Sequence, residues 1–132
     1  MSTEPYVLAL WAMNVSKFPA HDIVAEWIDL DEPIDAKAGK LWTRRQLAIP
    51  DLWPNKAMMD LIRFDMTNRE RLRINIFINT RSSGSTTQIR AVKAAGKLLI
   101  ATKHQAGNGT EDRSVHPDFP GWDPANPDAV FA

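Results

Sequence analysis

The three histidines, His21, His104 and His116, are the residues of this 132-residue chain best suited to acid–base or metal chemistry. None of them stands at metal-ligand spacing from another. His21 and Asp22 could share an acid–base site with Glu26, which follows about one helical turn later. The chain has no cysteine, which excludes a disulfide framework, a thiolate zinc site and a cysteine nucleophile. The favoured alternative is that all three histidines are ordinary surface or cap residues. We therefore expect no enzyme activity, no metal and no cofactor.

A polar loop at residues 81–87, with the sequence Arg-Ser-Ser-Gly-Ser-Thr-Thr, could present backbone amides to a phosphate. It lacks the Gly-Lys-Ser/Thr ending of a phosphate-binding loop, and the chain has no glycine-rich dinucleotide fingerprint. A helix N-terminus capped by Thr86 or Thr87 explains the loop better. A phosphate-handling enzyme is therefore the least favoured of three functions.

Charge is spread unevenly along the chain, although 16 basic and 16 acidic residues cancel overall. Residues 56–105 contain 10 basic and 3 acidic residues, whereas the segments before and after them are acidic. A basic middle suits a polyanionic partner, because clustered Lys and Arg release counterions from phosphates. The alternatives are that the basic middle is a solvated surface, or that it pairs with the acidic ends of the same or a neighbouring chain.

The clearest periodicity lies in residues 61–66 and 71–79, where aliphatic and polar residues alternate on either side of a polar turn. A period of two predicts two half-buried strands joined as a hairpin, with one aliphatic face and one polar face. Phe77 lies on the polar face and could stack on a base. The aliphatic set is Ile62, Phe64, Leu72, Ile74, Ile76 and Ile78, and the polar set includes Arg63, Arg71, Arg73, Asn75 and Asn79.

The elements around this hairpin are less distinct. Residues 6–14 suit a buried strand, with Trp11 in the core, and residues 21–30 suit either a helix or a strand, with Trp27 in the core. A helix is predicted from about Thr86, either ending at Gly96 before another strand or continuing to about residue 104. The sequence thus predicts a single α+β domain over residues 1–106.

The C-terminal segment, residues 107–132, differs in composition from the rest of the chain. It contains four prolines and five acidic residues, with Phe119, Trp122, Val130 and Phe131 spaced along it. We expect an irregular tail that docks on a neighbouring subunit.

Two stretches resemble the coat proteins of small single-stranded RNA bacteriophages, the levivirus-like family. The peptide Val24-Ala25-Glu26-Trp27-Ile28 occurs near the second strand of some of these coats. Residues 71–99 are similar to the family's late strand, short polar turn and alanine-rich helix. The segment between Ile28 and Arg71 is shorter, and the tail after Gly107 is longer, than the family usually has.

The resemblance implies an antiparallel sheet with C-terminal helices of two interlocked subunits packed on one face, the other face lining a shell and contacting RNA. It predicts a capsid protein that forms homodimers and larger assemblies, binds RNA, and occurs in the virion after assembly in the host cytoplasm. No membrane contact is expected, since no apolar run approaches about 20 residues. The predicted RNA-binding residues are Arg63, Arg71, Arg73 and Asn75, together with Arg45 and Gln46.

A second fold fits the same pattern of elements. The order strand, helix, hairpin, helix, strand is that of a ferredoxin-like βαββαβ fold, with residues 21–30 as its first helix. The corresponding function is a small non-enzymatic domain that binds nucleic acid or protein.

Overall fold

The computed structural model describes residues 7–32 and 44–132. The described chain forms eight strands and a short 3-10 helix at Pro127–Phe131. The strands are β1 (Val7–Met13), β2 (Ile23–Asp29), β3 (Arg45–Ile49), β4 (Ala57–Asp65), β5 (Arg71–Asn79), β6 (Gly84–Ala94), β7 (Lys97–Ala106) and β8 (Glu111–Val115).

Six of the strands form one antiparallel sheet in the order β3-β2-β5-β6-β7-β8, and β1 and β4 form a separate two-stranded ribbon. The alternation in β5 defines two faces of the sheet, because successive side chains of a strand point to opposite sides. Leu72, Ile74 and Ile76 lie on the inner face and are buried. The ribbon covers this face, and its Leu8, Leu61 and Ile62 join the same hydrophobic core. A two-stranded ribbon is marginal by itself, so this packing stabilises it.

The predicted α+β fold is wrong, and so is the ferredoxin-like alternative. The segment predicted as a helix is the hairpin of β6 and β7, turning at Ala95 and Gly96. Both turn residues have positive φ, 51° and 75°, as the favoured two-residue hairpin turns require. Among the described residues no helix is long and apolar enough to cross a membrane.

The sequence of β6 hides its strand character because the middle of the strand is covered on both faces. Ile89 and Ala91 pack on the inner core, and Arg90 between them is buried on the outer face. Polar residues therefore do not mark a solvated face along this stretch, and the alanines favour a helix by local propensity. The ambiguous segment at residues 21–30 is the strand β2.

The predicted hairpin between residues 61–66 and 71–79 is also corrected. Both segments are strands, but β4 pairs with β1, while β5 lies between β2 and β6. Both edges of β5 are thus occupied within the sheet. The turn after the fully buried Met66 leads the chain from the ribbon into the sheet.

The C-terminal segment packs on the chain's own sheet. β8 pairs with β7 at the sheet edge, and the residues after it fold back over the outer face. There Phe119 and Phe131 are buried against Leu99 and Ala101. The tail thereby covers one part of the outer face; its docking on a neighbouring subunit stays a prediction.

Candidate functional site

The outer face of the six-stranded sheet has a covered end and an open end. The tail packs on Val92, Leu99 and Ala101. At the other end of the same strands, the side chains of Thr86 and Gln105 line an open groove. The open end is therefore the part of the sheet that can receive a ligand.

A row of five side chains crosses this open end, one from each of five adjacent strands. Phe77 of β5 lies in register with Glu26 of β2 on one side and with Thr86 of β6 on the other. Gln46 of β3 pairs with Glu26, and Gln105 of β7 pairs with Thr86. Register partners of antiparallel strands share a face, so the row places an aromatic ring among polar groups.

The groove beside Phe77 has a volume of about 490 Å³, and its wall includes Asn79 and Arg44. Two glycines close one end of it. A Cβ on Gly84 would lie 2.8 Å from Oδ1 of Asn79, and a Cβ on Gly107 would lie 2.7 Å from the carbonyl oxygen of Gly84. The contact at Gly107 is with backbone and therefore requires glycine, whereas the Asn79 side chain could move away from a Cβ at position 84.

The carboxylate of Glu26 is held in place at the groove wall. Its Oε1 accepts a hydrogen bond from the Gln46 amide, and its Oε2 lies 3.4 Å from Nη1 of Arg44. The Glu26 side chain is 21% exposed. A negative charge therefore stands directly opposite Phe77.

Arg90 connects the sheet to the tail from a buried position. Its Nη1 donates to the carbonyls of Ile74 and Ile89 and to Oδ1 of Asn75, at 3.1–3.2 Å, and its Nη2 donates to the carbonyl of Phe131 at 3.0 Å. Burial lowers the pKa of this guanidinium. Four hydrogen bonds offset part of the cost of burying the charge, while Nε is buried without a partner among the described residues.

The acidic end of β2 and the turn after it neutralise the arginines at the start of β5. Oδ1 of Asp31 lies 2.8 Å from Nη2 of Arg73 and 3.0 Å from Nη2 of Arg71. Asp29 accepts a 2.8 Å hydrogen bond from Nη1 of Arg69. Burial alone would raise the pKa of Asp29, but this hydrogen bond and the charge of Arg69 hold it below its ordinary value. The same contact raises the pKa of Arg69.

Comparison of the chain with protein-family models, with curated proteins and with solved structures gave no match. The function must therefore be inferred from the chain's own geometry.

The structure does not bring all the predicted RNA-binding residues onto one surface. Arg71 and Arg73 lie on the outer face, but both contact Asp31. Asn75 accepts a hydrogen bond from Arg90, and Gln46 lies in the row beside Glu26. Arg45 of β3 is the register partner of Trp27 and contacts Glu32. Arg63 lies on the ribbon, opposite Ala9. RNA binding by these residues stays a prediction.

The acid–base cluster considered around His21 does not form. Nδ1 of His21 lies 2.8 Å from Oδ2 of Asp51, whereas Glu26 contacts Gln46 and Arg44. The hydrogen bond from His21 lowers the pKa of Asp51. Within residues 7–32 and 44–132, no group of three acidic or histidine side chains could hold a metal ion.

Sequence reasoning missed an apolar surface on the ribbon. Trp11, predicted to be a core residue, is 64% exposed, whereas Trp27 packs against the core as predicted. Pattern alone cannot distinguish a core tryptophan from an interface tryptophan. We call this surface the ribbon patch; its members, all more than half exposed, are Trp11, Met13, Val15, Phe18, Trp53 and Met59.

The ribbon patch is held together by the buried Asn14. Its Nδ2 donates to the carbonyls of Phe18 and Leu52, both at 2.8 Å. Its backbone N–H donates to the carbonyl of Lys56 at 3.0 Å. These bonds attach the loops that bear Val15, Phe18 and Trp53 to the end of the ribbon, so the fold holds these side chains in position.

Proposed function

We propose that this protein is a non-enzymatic structural protein that associates with copies of itself through the ribbon patch. The observation that supports the proposal is the exposure of six large apolar side chains on one ribbon and on the loops bonded to its end. Contiguous apolar patches larger than a few hundred Å² are rare on monomers and mark interaction sites.

The size of the ribbon patch matches what a dimer needs. A tryptophan or phenylalanine presents on the order of 200 Å², so six side chains that are more than half exposed present several hundred Å². A stable interface buries about 800 Å² on each partner. The patch with its immediate rim is therefore large enough for a two-fold interface in which it faces itself.

The ribbon also offers backbone for such an interface. In the described part of the chain β1 and β4 pair only with each other, so each has one edge that no other described strand occupies. Open strand edges pair readily with another chain. A second copy could thus bury the patch and extend the ribbon at the same time.

A capsid protein is the specific form of this proposal, because the subunits of a shell must bury surface against one another. The helices that the phage-coat resemblance implies are absent from the described residues, so the proposal rests on the ribbon patch and not on the resemblance. RNA binding by Arg71 and Arg73 belongs to this specific form. It requires RNA phosphates to compete with Asp31 for the two guanidinium groups.

The mass of the protein in solution tests the proposal. We expect a dimer or a larger particle by light scattering after size exclusion, and a monomer for the double variant Trp11→Ser, Trp53→Ser. Phe77→Ser is the control, because Phe77 lies on the opposite side of the sheet and should leave the mass unchanged. A wild-type monomer at every concentration up to that of an NMR sample would exclude self-association and leave the small binding domain as the function.

A further inference from the structure

The open groove of the outer face has a composition that fits one class of ligand. Phe77 is the aromatic residue at its centre, with Ile76 and Ile78 on the inner side of the same strand. Among the described strands of the six-stranded sheet, no other aromatic side chain points to the outer face. An aromatic ring at a half-buried, polar position contributes little to the core and is available to a ligand.

The charges around Phe77 disfavour a phosphate. Its cross-strand neighbour is the carboxylate of Glu26, and the nearest guanidinium in the groove, that of Arg44, already contacts this carboxylate. A phosphate stacked at Phe77 would meet a like charge. Nucleic-acid affinity depends on Lys and Arg side chains that are available to the phosphate backbone. Within the described residues, the groove offers no cationic side chain other than Arg44.

The remaining groups of the groove are neutral hydrogen-bonding groups. The side-chain amides of Asn79 and Gln105 and the hydroxyl of Thr86 line it. Within the described part of the chain these three side chains have no hydrogen-bond partner. An amide can donate and accept, and so can a hydroxyl, so the groove can satisfy a ligand whose polar groups do both.

We infer that this groove binds a neutral oligosaccharide, with a sugar ring lying on the face of Phe77. A sugar ring presents an apolar C–H face, which suits the negative face of an aromatic ring, and a rim of hydroxyls that match the amides. A groove of about 490 Å³ falls within the range of small-molecule sites, about 300–1,000 Å³. The Glu26 carboxylate, fixed by Gln46 and Arg44, is a strong acceptor for a sugar hydroxyl.

This inference is independent of the proposed self-association, because the groove and the ribbon patch lie on opposite sides of the sheet. Isothermal titration with neutral hexasaccharides of glucose, of mannose and of N-acetylglucosamine tests it. We expect at least one to bind. Phe77→Ala should weaken that binding about tenfold or more, and Phe77→Trp, which keeps an aromatic face, should retain it.

Two further measurements complete the test. Gln105→Ala should weaken binding several-fold without changing the melting temperature, because the amide is exposed to the groove and has no partner among the described residues. The same titrations are repeated with a ten-nucleotide oligouridylate. The inference is overturned if none of the three hexasaccharides binds, if Phe77→Ala binds as well as wild type, or if only oligouridylate binds in a Phe77-dependent way.

Discussion

Nη2 of Arg90, at the centre of the sheet, donates a 3.0 Å hydrogen bond to the backbone carbonyl of Phe131, the last residue of the 3-10 helix. This contact connects the C-terminal turn to the middle of β6. Arg90 is 3% exposed and donates from its other terminal nitrogen to three acceptors of β5 and β6. One side chain therefore holds two strands and the tail together.

Replacing this arginine should destabilise the fold and release the tail. Arg90→Met keeps a long apolar stem but removes every donor, so the hydrogen bonds to Oδ1 of Asn75 and to the carbonyl of Phe131 are lost. We expect the free energy of unfolding to fall by about 2–4 kcal/mol, measured by urea denaturation. Amide exchange should also quicken at residues 127–132. Arg113→Met is the control, since its ion pairs with Glu111 and Asp128 are partly exposed and should be worth less than about 1 kcal/mol.

The turn between β6 and β7 allows a test in which the sign of the effect distinguishes hairpin from helix. Ala95 has φ of 51°, a left-handed conformation that costs an alanine about 1 kcal/mol. Ala95→Gly should therefore raise the free energy of unfolding by about 0.5–1 kcal/mol. In the helix that the sequence predicts, the same change would lower it by about 0.8–1.0 kcal/mol.

A neighbouring alanine serves as the control for this turn. Ala94 is the last residue of β6 and pairs with Lys97, so Ala94→Gly should destabilise the protein by about 0.5–1 kcal/mol. Opposite signs at two adjacent alanines, measured as shifts in melting temperature, would support the hairpin. A loss of stability for both variants would contradict it.

The contrast between β5 and β6 explains how much of the fold can be predicted from the sequence. β5 has one apolar face and one polar face, so Leu72, Ile74 and Ile76 reveal it directly. In the middle of β6 the ribbon covers one face and the tail the other, and Ile89, Arg90 and Ala91 are all buried. Local pattern cannot show this, because both covers come from distant parts of the chain.

Strand pairing and the candidate site are hard to predict for the same reason, because both depend on residues that are distant in the sequence. The polar face of β5 identifies Phe77 as an aromatic residue available to a ligand, but its neighbours along the strand suggest a basic surface. The actual neighbours, Glu26 and Thr86, come from strands before and after it and depend on register. The acidic partner of Arg71 and Arg73 likewise comes from residue 31, about 40 positions earlier.

This acidic partner leads to a prediction for the RNA-binding arginines. Asp31→Asn should free Arg71 and Arg73, and if they are RNA contacts, as the sequence predicts, affinity for a ten-nucleotide oligouridylate should rise several-fold. Each arginine that gains a phosphate should steepen the dependence of log affinity on log salt by about 0.7. Fluorescence anisotropy at two or more salt concentrations measures both effects.

Asp112→Asn is the matched control for this comparison. Asp112 is exposed on β8, and its replacement changes the net charge equally without touching the arginines. If Asp31→Asn binds oligouridylate no better than Asp112→Asn, then Arg71 and Arg73 are not RNA contacts and their role is to hold the turn after β2. In that case Asp31→Asn should still cost stability, because it leaves the partly buried guanidinium of Arg73 without this charged partner.

The contact between Asp29 and Arg69 should make stability depend on pH in the acid range. The pKa of Asp29 is held below its ordinary value of 3.8, so the unfolded chain takes up a proton at this carboxyl before the folded protein does. The contact therefore stabilises the fold fully above about pH 5, and its contribution is lost as pH falls through the lowered pKa of the folded state. We expect urea denaturation from pH 7 to pH 2 to show a smaller fall in the free energy of unfolding for Asp29→Asn and for Arg69→Met than for the wild type. If the free energy of unfolding falls as much in both variants as in the wild type, then other carboxylates determine the loss of stability at low pH.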